Sequence, residues 1–166
     1  MRLVDIFDLF EYMYWVNHRL LTAAARLTTK QFTAHTDVTT RDLRATFVHE
    51  LDVEWSWRLS LQGRTFAELE AEGELRPEDY PNLNAVRDHW RRDEAEMREW
   101  LGSMTDEQVA AEITPSLSQT PLPLWRYLLH IVFHATQQQA DAATLLTLAG
   151  HSPGEIGYLE RIWTLR

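Results

Sequence analysis

The sequence predicts an all-α protein, a four-helix bundle with long crossover connections, on three observations. Four long stretches carry apolar residues at three- and four-residue spacing, glycine and proline punctuate the links between them, and no stretch alternates as a strand would. At 166 residues with 45% apolar content, the chain suits one domain, 1–166, with a single substantial core.

The first helix is expected from Leu3 to Leu27, where Leu3, Ile6, Phe7, Phe10, Tyr14, Asn17, Leu21 and Ala24 share one face. Thr28 to Asp37 breaks the pattern. Thr39 or Thr40, followed by Arg41 and Asp42, offers a hydroxyl cap for a second helix ending near Gln62, with Gly63 beyond it and Val48, Leu51, Trp55 and Leu59 as its stripe. Gly73, Pro77 and Pro81 limit the next link to one short helical turn, around Phe66 to Glu72. The third helix is expected from about Asn82 to Leu101, buried through Leu83, Val86, Trp90, Met97 and Leu101 and stopped by Gly102. A turn near Asp106 to Ala110 precedes a proline-rich extended crossover, Ile113 to Pro123. The fourth helix runs from near Pro123 to Ala149, ends at Gly150, and is apolar on nearly every side, so it should be the most buried.

Composition narrows the function. Cysteine is absent, which removes disulfides, zinc–thiolate clusters and any thiol nucleophile of the chain's own. Asp5, Asp8 and Glu11 interrupt the N-terminal apolar pattern, which argues against a signal peptide. No stretch approaches the roughly 18 unbroken apolar residues of a membrane span, so a soluble cytoplasmic protein is expected. The net charge of −9, from 25 acidic and 16 basic side chains, opposes nucleic-acid binding. Arg87, Arg91, Arg92 and Arg98 are interleaved with Asp88, Asp93, Glu94, Glu96 and Glu99, the pattern of a solvated helix face.

The chemistry concentrates on the fourth helix. His130, His134, Gln138 and Asp141 follow steps of four, four and three, which at about 100° per residue places them in a band roughly 80° wide. Two imidazoles at i and i+4 can present nitrogens to one ion, with a third donor from elsewhere, and His49 beside the buried stripe of the second helix is a candidate. The plain alternative is a set of core or rim histidines satisfied by hydrogen bonds. Buried without partners, such groups would cost on the order of 1–3 kcal/mol each.

These stretches resemble the DinB/YfiT-like metal-dependent bundle family. HIVFHATQQQADAATLLTLAGHSPGE, His130 to Glu155, is similar to its fourth helix, with H-G-T-x-H-R-G-Q followed by a small-apolar run to Leu-Gly and proline. YMYWVNHRLLTAAARL, Tyr12 to Leu27, resembles its first helix, HELDVEWSWRLSLQGR, His49 to Arg64, its second, and PNLNAVRDHWRRDEAEMREWLGSMTDE its third. The resemblance implies a triad of histidines holding nickel, zinc or a similar divalent metal ion. His49 matches the first ligand and His134 the second, but the third falls on Gln138, a weaker neutral donor. His130 is the alternative third ligand, with the ion moved one helical turn, roughly 5 Å. Asn17, Tyr14, Glu54 and Asp141 are candidates to orient ligand imidazoles.

Three protein donors leave an open position at which a water or thiolate becomes nucleophilic. The resemblance implies either a transferase using an exogenous low-molecular-weight thiol or a stress-associated protein without an assigned reaction. The expectation is a metal-dependent transferase or hydrolase with Asp141 or Glu54 as proton acceptor. Its alternative is a non-catalytic bundle, its metal site lost, that binds a small ligand or partner. His18, His35, His89 and His151 read as surface residues, and the seven tryptophans as core or as the contact of a homodimer.

Overall fold

A computed structural model describes residues 1–165; Arg166 lies outside the described residues. Four long helices make the bundle: α1 (Leu3–Ala24), α3 (Leu43–Leu61), α5 (Leu83–Gly102) and α7 (Leu124–Leu148). Between them lie α2 (Thr29–Phe32), α4 (Phe66–Glu72), a 3₁₀ turn (Pro77–Asp79), α6 (Asp106–Ala110), and the two-residue strands β1 (Glu112–Ile113) and β2 (Leu122–Pro123); α8 (Tyr158–Thr164) follows α7. Among the described residues no helix is long and apolar enough to cross a membrane.

Around the bundle the order is α1, α7, α3, α5, so α3 packs on α7 and α5 while α1 packs on the same two from the other side. The apolar faces give two buried clusters. One is centred on Val16, Leu20, Phe47, Leu51, Trp90 and Leu146, the other on Phe10, Met13, Met97, Leu101, Leu128 and Ile131.

Local chemistry fixes the helix ends, with some departures from expectation. The cap of α3 is Asp42, whose carboxylate accepts from Ala45 N at 2.8 Å; Thr39 instead donates its hydroxyl to the Arg41 carbonyl. Gly63 and Gly150 end their helices in the left-handed conformation, φ +98° and +81°. Gly102 does not stop α5: it stays in the last turn, and Ser103 is the cap. The crossover is pinned by an antiparallel pair, Glu112 against Pro123 and Ile113 against Leu122. Helix α7 is amphipathic, not apolar all round, burying 11 of 25 residues against 10 of 22 in α1.

Residues 151–165 form a clip along α1. Arg19 Nη2 donates to the Pro153 carbonyl at 2.8 Å, Tyr12 to the Ile156 carbonyl at 2.9 Å, and Arg161 Nη1 to Asp8 at 2.8 Å. Tyr158 also donates its hydroxyl to Asp8 and meets the Tyr12 ring edge-on.

Candidate metal centre

Helices α3 and α7 bring His49 and His134 together. Their Nε2 atoms lie 3.2 Å apart, with ring centroids at 4.9 Å and planes at 74°. Two nitrogens held at about 2.0–2.1 Å from one tetrahedral ion would be separated by ~3.3–3.4 Å, so this spacing suits a shared cation. Both imidazoles are half-buried. Burial and the nearby Arg41 cation lower the His49 pKa against the opposing charge of Glu74. Burial, His49, His130 and Arg41 together bring His134 down to about 4. Both rings are therefore neutral at pH 7, the state a metal ligand requires.

The neighbouring polar atoms are unequally satisfied. Gln138, one turn beyond His134, is 8% exposed, and its Oε1 is buried without a hydrogen-bond partner. His134 Nδ1 is likewise buried and unpartnered, so neither Tyr14, Glu54 nor Asp141 accepts from it. An amide oxygen facing no donor is chemically suited to a cation, and the donor types present, two imidazoles and an amide, are ones a divalent ion accepts.

His130 stands apart from this pair. It is exposed, its ring is 6.4 Å from that of His134, and it meets Trp57 edge-on at 5.0 Å. Among the described residues no three His, Cys, Asp or Glu side chains cluster as metal ligands, so His49, His130 and His134 do not assemble as a trio. Asp141 is half-buried and has no side-chain hydrogen bond among the described residues. Glu54 points into the core and accepts from Asn17 Nδ2 at 3.3 Å and Trp90 Nε1 at 3.1 Å, and from no histidine.

Glu54 belongs to a buried polar cluster to which every long helix contributes. Glu50, one turn earlier on α3, accepts from Gln139 Nε2 at 3.2 Å, and Gln139 also donates to Asn17 at 2.6 Å and the Met13 carbonyl at 3.1 Å. Glu50 and Asn17 have no exposed surface, and Glu54 only 1%. Desolvation pushes both carboxyls well above the ordinary glutamate range. A second buried polar contact clamps α3 to α5: Arg58, 3% exposed, donates through Nε (2.9 Å) and Nη2 (2.5 Å) to Asp93 and reaches Glu96 at 2.7 Å. Asp93 and Glu94 are buried, so the expected solvated face of α5 is partly interior. The other histidines divide: His35 is exposed, whereas His89 is half-buried and bonded to the Tyr80 hydroxyl at 2.6 Å.

Sequence reasoning missed Glu50, Gln139, Arg41 and Glu74. The i, i+4 spacing of Glu50 and Glu54 could have signalled a shared environment, but charged residues on a helix read as solvent-facing by default. Arg41 and Glu74 lie in links, where periodicity carries no information.

The fold is similar to the crystal structure of a DinB-like protein from Bacillus cereus ATCC 10987. The TM-score is 0.68 at 13% sequence identity, covering 89% of this chain and 94% of that one. No curated protein matches the sequence significantly. The sequence model of the DinB family matches residues 3–164. With nearly the whole length matched, this chain belongs to the DinB family.

Proposed function

We propose that the chain holds a divalent cation, nickel or zinc, between His49 and His134, with the Gln138 amide as third donor, and uses it in a transferase-like or hydrolase-like reaction. The observation that carries this reading is the 3.2 Å approach of two neutral imidazole nitrogens from separate helices. Such an ion, when bound, supplies a Lewis-acid position where water or the thiol of a low-molecular-weight cosubstrate loses its proton near neutrality. The protein's residues set up that chemistry. Helices α3 and α7 fix the two rings, and burial keeps them unprotonated. The Arg41 cation, whose field reaches both rings, favours an anionic group beside them. Asp141, two turns beyond His134 and without a side-chain hydrogen bond among the described residues, is the proposed proton acceptor.

Elemental analysis of tag-free protein purified without chelator tests the proposal. The expected result is stoichiometric metal, and nickel or zinc added at 100 times its Kd should stabilise the fold by about 2.7 kcal/mol. His134→Ala should abolish both. Protein that carries no metal and whose melting is unmoved by either ion would refute the site.

One observation favours a second reading, a non-catalytic bundle: at 3.2 Å one imidazole N–H can donate to the other ring, satisfying the pair without a cation. In that case both His49→Ala and His134→Ala weaken folding while metal changes nothing. We extend the proposal to a homodimer, because Phe133, Leu148, Leu159 and Trp163 expose 59–62% of their surface; light scattering giving the monomer mass would remove it.

A further inference from the structure

On the side of the bundle away from His49 and His134, two cavities adjoin along α1. One, of about 360 Å³, lies against residues 152–153 and is lined by Arg19 and Arg26; the other, of about 500 Å³, lies against α5 and is lined by Arg87 and Arg91. His18 and Thr22 line both, so the two adjoin at these side chains as lobes of one surface cleft. Among the described residues, none of these four forms an ion pair with a carboxylate, so each keeps its charge. Arg98, also on the cleft wall, is neutralised by Glu11 and Glu94.

Two of the four are held by groups that leave their charge intact. Arg19 Nη2 donates to the Pro153 carbonyl at 2.8 Å, and its guanidinium lies over Trp15, 4.9 Å from the ring centre. Gly154, at φ +75°, covers it so closely that a Cβ there would come within 2.9 Å of Nη2. Arg19 Nε is buried without a partner. Arg87 reaches the Leu21 carbonyl at 3.5 Å and the Asn84 amide oxygen at 3.3 Å. Carbonyl tethers fix a guanidinium without cancelling its charge, which is the preorganisation an oxyanion site needs. Between the pairs stands His18, whose Nε2 lies 3.2 Å from Glu94, a contact that favours its protonated form.

We propose that this cleft binds a small soluble anion bearing one or more phosphate groups, with Arg19 and Arg26 at one end and Arg87 and Arg91 at the other. Planar guanidinium forks suit the several acceptor oxygens of a phosphate better than a single carboxylate. The cavities lie within the roughly 300–1,000 Å³ of small-molecule sites. A nucleic-acid duplex would instead have to approach the whole chain against its net charge of −9. The site is independent of the histidine pair.

Calorimetric titration of the full-length protein with inorganic pyrophosphate, in buffer containing chelator so that no metal at the histidines contributes, tests the assignment. Pyrophosphate should bind at least tenfold more tightly than acetate at matched ionic strength. Arg26→Ala and Arg91→Ala alter exposed side chains that can be removed without unfolding, and each should weaken binding at least threefold; Arg126→Ala, on the exposed surface of α7, should not. The Arg19 Nε–Hε resonance should shift on titration. Equal affinity for acetate, or unchanged binding in both cleft variants, overturns the proposal. So does a short DNA duplex binding through these arginines where pyrophosphate does not.

Discussion

Helix α3 meets its two neighbours through opposite kinds of chemistry. Toward α5 it offers Arg58 to Asp93, unlike charges that hold each other. Toward α7 it offers His49 to His134, two like rings whose nearest nitrogens face each other at 3.2 Å. The first seam closes on itself through Asp93 Oδ1, leaving only Oδ2 buried without a partner. The second can close in two ways: one ring's N–H donates to the other's lone pair, or both lone pairs face a shared cation. Convergence of like donors is where we propose a guest, whereas convergence of opposite charges marks a lock.

The largest expected effect breaks the lock. Asp93→Ala leaves the buried Arg58 guanidinium with only the exposed Glu96 and the Gln62 amide oxygen beside it, and should cost about 3–5 kcal/mol. A lowered denaturation midpoint at unchanged m would record it; a loss below 1 kcal/mol would show that Arg58 re-pairs freely. At the other seam, Gln138→His supplies a third imidazole and should tighten zinc binding about tenfold or more, some 1.4 kcal/mol. Titration against a competing chelator would measure this. Unchanged affinity would mean that position 138 does not contribute a donor.

The buried glutamates between the seams give a pH signature. A carboxyl whose folded pKa is raised binds protons more tightly in the folded state, so its contribution is fully present below its unfolded pKa, about 4.3, and is lost as pH rises through the folded pKa. Stability should therefore fall from mildly acidic toward alkaline pH, by up to about 1.4 kcal/mol per pH unit for each proton released. Glu54→Gln, neutral at every pH, should flatten that slope and raise the midpoint at pH 8; a steeper slope in the variant would contradict it. The smallest effect belongs to His18. Its raised folded pKa gives stability that is present below about pH 6.5 and lost as pH rises through the folded value, and solvent exposure keeps it under about 0.5 kcal/mol. Glu94→Gln should remove it, as NMR titration of the ring would show.

The sequence made the bundle legible because its signal is repeated. Ile6, Phe10, Tyr14, Asn17 and Leu21 all report the same face of α1, and Gly63 and Gly150 end their helices as expected. Elements that rest on single contacts were not legible. The two-residue ladder at Ile113 and Leu122 has no room for alternation, and α8 depends on Tyr158 and Arg161 finding Asp8 about 150 positions earlier. At the candidate centre, helical spacing placed His134 and Gln138 together, but whether His130 joins them depends on the packing of Trp57. The motif resemblance puts the third donor at Gln138, whose amide oxygen is buried without a partner. Periodicity could not reveal that Glu50, Glu54, Asp93 and Glu94 are interior, because burial of an acid depends on partners from other helices.

The clip along α1 also has a consequence in time. Its hydrogen bonds join residues 134 to 153 positions apart, so at ordinary ribosomal speed α1 waits about 7 to 30 s before Pro153, Ile156 and Arg161 are synthesised. During that interval Tyr12 lacks the cover of Tyr158, and with the stacked Trp15 it offers a sticky aromatic strip to whatever attends the ribosome exit. A product cut short before residue 151 would keep that strip permanently, which makes it a natural substrate for quality control.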